Sequence, residues 1–162
     1  NTMTRISTLA VAIGLAFSVN VWAAETATQD VGYEVAAISQ ISVTNEDPGS
    51  LVITGATPGL APTEDDLSAG TYAITNNAGT KKITAAINSA MPDGVTLEVA
   101  LQAPTGATAT RSVLSTSPAD VVTDIGNVSE SGKTITYYLN ATAAAGAVSA
   151  AVKTVTFTIT GS

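Results

Sequence analysis

Apolar and polar side chains alternate with a period of two along much of this chain, a pattern that fits a half-buried β-strand and not a helix. The plainest case is Val95, Leu97, Val99 and Leu101, interleaved with Thr96, Glu98, Ala100 and Gln102. The longest covers 31–43. There Val31, Tyr33, Val35, Ala37, Ser39, Ile41 and Val43 share one face, opposite Gly32, Glu34, Gln40 and Ser42, which reads as one strand or two collinear strands. Near the C-terminus, Lys153, Val155, Phe157 and Ile159 line one face of an expected strand over 152–160, with Thr154, Thr156, Thr158 and Thr160 on the other. A Thr row suits a solvated sheet face, because β-branching fits the pleat and water satisfies the hydroxyl. Alternations at 71–75, 82–87 and 134–140, the short apolar run 51–54, and weaker patterns at 108–114 and 120–125 supply the remaining strands.

Turn chemistry separates these runs. Asn76-Asn77-Ala78-Gly79 reads as a hairpin turn, and Met91-Pro92-Asp93-Gly94, Ala103-Pro104-Thr105-Gly106 and Ser129-Glu130-Ser131-Gly132 read as further turns. Many short strands with frequent reversals predict an all-β protein, an antiparallel Ig-like β-sandwich of about 7–9 strands. The Ala-rich stretch 141–151 is interrupted by Gly146 and is expected to be a loop or a short turn of helix.

The first residues predict export. Arg5 is the only charge before Glu25, and the apolar run 9–19 follows it, as in a secretory signal peptide. That run is shorter than the ~20 residues a bilayer span needs. Val21 and Ala23 occupy the −3 and −1 positions of a small-residue cleavage site, so the mature chain is expected to begin at Ala24 and to hold no stable membrane span. Met3 is the expected start, with Asn1 and Thr2 as an upstream remnant. The expected organisation is a leader over 1–23, a polar tail over 24–30 and a single sandwich over 31–162.

Composition excludes several chemistries. The chain has no Cys and no His, so disulfides, Cys/His zinc sites, thiol nucleophiles and His-based triads cannot be built from it. Six basic residues against thirteen acidic ones give a net charge of −7, which opposes a nucleic-acid groove. Neither a Ser-x-x-Lys stretch nor a Gly-x-Ser-x-Gly elbow occurs. The sequence therefore predicts no enzyme and no cofactor. Glu46 and Asp47 in one loop, with Glu64, Asp65 and Asp66 in another, are the weak candidates for oxygen ligation of calcium. Cleavage of the leader removes the only Trp, Trp22, leaving Tyr33, Tyr72, Tyr137, Tyr138 and Phe157 as the aromatics for glycan stacking. Tyr137 and Tyr138 fall on opposite strand faces, and Tyr72 and Tyr137 are expected in the core.

A polar tail running into the longest alternating stretch has two readings: an edge strand of its own sandwich, or a strand donated to a neighbour. In the second, Val31, Tyr33, Val35, Ile38, Ile41 and Val43 contain the residues that enter a partner's groove. With the leader and the Thr- and Ala-rich body, this layout resembles secreted bacterial Ig-like surface proteins, the pilins and related filament subunits. The resemblance implies a structural or adhesive protein, secreted to the cell surface, the extracellular space or the periplasm of a bacterium. Its partners would be other copies of itself or other surface proteins. It lacks the disulfide and the penultimate Tyr common in pilins assembled by a chaperone and usher. The alternative expectation is a soluble secreted module that binds glycan or calcium.

Overall fold

The alternating runs become nine strands in the computed structural model, which describes residues 26–44 and 49–162. In chain order these are β1 (Ser39–Val43), β2 (Asp65–Asn76), β3 (Lys81–Ile87), β4 (Val95–Leu101), β5 (Thr108–Ala109), β6 (Ser112–Val113), β7 (Ala119–Ile125), β8 (Val128–Ala141) and β9 (Val155–Gly161). A 3-10 turn, Ala143–Ala145, lies between β8 and β9. The expected leader and its cleavage site lie outside the described residues, as do Glu46 and Asp47.

Two antiparallel sheets form a β-sandwich within the unit Val35–Ser162. One has the order β1-β2-β8-β4-β6, the other β5-β7-β3-β9. Period-two patterning drives the packing. Ile83, Ala85 and Ile87 of β3 and Leu97, Val99 and Leu101 of β4 all point into one shared core. There they meet Tyr72, Ile74, Val121, Val122, Ile125 and Ile135. Each such aliphatic side chain contributes about 1.5–3 kcal/mol when fully buried. Tyr137 and Phe157 pack against the cluster from its margin.

Several boundaries differ from the sequence expectation, each for a local reason. The 31–43 run forms a strand only over Ser39–Val43, because the β1–β2 ladder ends where Ser39 pairs with Asn76. The run 51–54 is no strand; it belongs to a long connection that carries, among the described residues, one isolated bridge between Ala56 and Pro62. Conversely, 65–70, which reads as an acidic loop, is the first half of β2, paired from Asp65 with Leu139 to Ser68 with Thr136. The expected turn at 129–132 lies inside β8, where the register slips opposite Tyr72 and Ile74 and Gly132 takes φ 69°. A β-bulge can use a left-handed glycine just as a turn can.

The segment 76–79 is not a hairpin. It carries the chain from one sheet to the other, and every later connection between consecutive strands also changes sheet. At the crossing before β4, Gly94 has φ 77°, and a Cβ there would lie 2.7 Å from Thr142 Oγ1 and 3.1 Å from Ala145. Both backbone conformation and space require glycine.

Candidate functional site

The edges of the sandwich, not an enclosed pocket, hold its unused bonding capacity. Among the described residues, two strands present free edges on the same side: β1 pairs only with β2, and β9 only with β3. Each leaves a row of N–H and C=O groups without a strand partner. β1 and β9 approach one another there, and between them lies an open groove of about 440 Å³. Residues 39–42 of β1, 73–75 of β2 and Ile159 of β9 bound it. Ile41, Ile74 and Ile159 give it an apolar floor continuous with the core.

Residues 26–34, described as part of a separate unit, form no strand and are all exposed. Val31 and Tyr33 are 77% and 94% exposed, and Val35, at the start of the sandwich unit, is 78% exposed. Three large apolar side chains at alternate positions thus face water. The six residues singled out in sequence divide accordingly. Val31, Tyr33 and Val35 stay unpaired, Ile41 and Val43 belong to β1, and Ile41 packs against its own core.

Ile38 sits at the junction, held by Asn77, which the sequence places in a turn. Ile38 N–H donates to Asn77 Oδ1 at 2.5 Å, Asn77 N–H donates to Ile38 O at 2.9 Å, and Asn77 Nδ2 donates to Ala36 O at 3.1 Å. Its neighbour Asn76 is 2% exposed and donates to Gly79 O at 2.7 Å and Gly126 O at 2.8 Å, while Ser39 Oγ donates to its Oδ1 at 3.1 Å.

Of the acidic candidates within the described residues, Glu64 and Asp65 are engaged in other bonds. Arg111 makes a bidentate pair with Glu64 and bonds Glu98 through Nε at 2.8 Å, while its guanidinium carbon lies 3.7 Å from the centroid of the Tyr138 ring. The Arg111 hydrogen bond holds the Glu64 carboxyl below its usual range. Asp65 accepts from Val52 N–H at 2.6 Å. Asp66, next along β2, points to the opposite face from Asp65. Among the described residues, no group of three or more acidic side chains is placed to hold a metal ion. The guanidinium also covers the Tyr138 ring, the face a sugar would need. No helix among the described residues is long and apolar enough to cross a membrane.

One carboxylate is strongly perturbed. Lys133, together with Thr105, whose N–H donates to Glu130 Oε1 at 3.1 Å, holds the Glu130 carboxyl down at about 2. The unfolded chain protonates this group near its ordinary 4.5, so the folded state gains stability above that pH and loses it as pH falls through about 2. Urea midpoints measured from pH 5 to pH 2 should therefore fall less steeply for Glu130→Gln than for the parent. Equal slopes would show that this pair contributes nothing.

No family model matches the sequence, and no curated protein matches it. Among solved structures, the chain is similar to one from a chaperone-usher pilus studied for rod uncoiling, at 15% identity and TM-score 0.41, over 86% of this chain and 96% of that one.

Proposed function

We propose that this protein is an exported structural subunit that assembles into filaments by donating its N-terminal arm to a second copy. The observation that carries the reading is the coexistence of an unpaired, alternating apolar arm and an open groove, polar at its sides and floored by Ile41, Ile74 and Ile159, between two strand edges that no described strand covers. An added strand would bond along β1 or β9 through its main chain and place alternate side chains inward, as in β-augmentation. Val31, Tyr33 and Val35 have the spacing for that role.

Arm and groove are different surfaces, so the contact is heterologous. Each chain gives one arm and accepts one, and such contacts propagate head to tail as open filaments unless the rotation happens to close a ring. A chain of low aromatic content and lean core also gains buried surface this way. Burial in the partner would contribute about 1.5–3 kcal/mol for each fully enclosed large apolar side chain.

Sedimentation velocity of the chain beginning at Ala24 tests the reading. Over rising concentration it should resolve a growing series of oligomers, with linear assemblies visible by electron microscopy. A single monomer boundary throughout would contradict it.

A further inference from the structure

We propose that Asn77 is a positioning residue for the donated arm, fixing the root from which the arm leaves the sandwich; this rests on the strand-donation reading above. The β1–β2 ladder stops at Ser39 and Asn76. One residue further, Asn77 continues it with its backbone N–H, which donates to Ile38 O, and with its side chain. The amide oxygen accepts from Ile38 N–H, where the next backbone carbonyl of a ladder would serve, and the amide nitrogen reaches on to Ala36 O. An Asn side chain carries both a donor and an acceptor, as a peptide unit does, and can therefore stand in for one. Asp offers only acceptors and Ala offers neither.

Residues 36–38 are exposed and belong to no strand, so these two side-chain bonds, with the backbone bond from Asn77 N–H to Ile38 O, are what order the root. Each residue held in one backbone conformation before docking spares its ordering cost at the moment of docking. The arm proper stays free to be donated while its point of departure stays fixed. Asn76 has a different job: its buried amide ties the β2–β3 and β7–β8 connections to β1.

The test compares the chain beginning at Ala24 with Asn77→Ala and Asn77→Asp by amide hydrogen exchange in dilute solution and by the rate of assembly. In Asn77→Ala, Ile38 amide protection should drop about tenfold, the size of one lost hydrogen bond. Protection at Ile83 and Val99 in the core should stay unchanged. Asn77→Asp should keep most of the Ile38 protection, since its acceptor remains. Assembly of Asn77→Ala should slow several-fold. Unchanged Ile38 protection in Asn77→Ala overturns the clamp, whether or not the chain assembles. Lost protection with unchanged assembly rate overturns its positioning role. If the parent chain never assembles, strand donation fails and the positioning role falls with it, while the Ile38 exchange data still report whether Asn77 anchors the root.

Discussion

A chain beginning at Val35 is expected to fold, to melt in dilute solution within about 2 °C of the chain beginning at Ala24, and to remain monomeric at every concentration. Residues 26–34 are exposed throughout and form no strand, so their removal takes away no buried surface. The same removal deletes Val31 and Tyr33, two of the three unpaired apolar residues, while Ile41, Ile74 and Ile159 remain to line the groove. Donor and acceptor functions thus separate cleanly. The shortened chain should still accept an arm, and, mixed with the longer chain, it should cap growing ends and shorten the assemblies. If the arm were an integral strand of its own sandwich, the shortened chain would instead be unfolded or strongly destabilised, and mixing would have no effect.

Tyr72→Ala is expected to destabilise the sandwich by about 3–5 kcal/mol, the cost of truncating a fully buried large aromatic. The ring is 1% exposed at the centre of the core, and its hydroxyl donates to Gln102 O at 2.6 Å. Burial, with the Glu130 carboxylate nearby, pushes its pKa up to about 12, so the phenol stays neutral and remains a donor at any working pH. A domain of this size holds about 5–15 kcal/mol in total, so the variant should be partly unfolded well below the parent's melting temperature. Tyr72→Phe, which keeps the ring and loses one hydrogen bond, should cost about 1 kcal/mol. Urea unfolding with a common m-value would establish both figures. A Tyr72→Ala loss below about 1 kcal/mol would mean that the core is not organised around this ring.

Much of the fold was legible because period-two patterning acts on each strand alone. β3, β4 and β7 fall within a residue of their expected bounds, and the inward sets Ile83–Ala85–Ile87 and Leu97–Val99–Leu101 could be read directly. What sequence could not supply was pairing. Nothing in 65–70 announces a strand, because Asp66 and Ser68 face water and only Leu67 and Ala69 turn inward. Its strand character comes from β8, whose partner residues lie 68 to 74 positions further along the chain, from Ser68 with Thr136 to Asp65 with Leu139. The reverse holds for 31–38, where the alternation is clear and no described strand answers it. Turn residues misled in a similar way: Gly79 and Gly132 supply positive φ, but one serves a change of sheet and the other a bulge.

The candidate site was half legible. The arm was visible as Val31, Tyr33 and Val35, whereas the groove joins the first strand to the last and exists only after folding. Asn77 looked like turn chemistry because its type is right for a turn; its grip on 36–38 depends on where β1 ends.

The most direct measurement adds a synthetic peptide of residues 26–37 to the chain beginning at Val35 and follows the methyl resonances of the isoleucines. Saturable shifts are expected at Ile41, Ile74 and Ile159, with small changes at Ile125 and Ile135 and a melting temperature that rises with peptide concentration. An unshifted spectrum and melting temperature at millimolar peptide, or shifts clustered away from the groove, would contradict it.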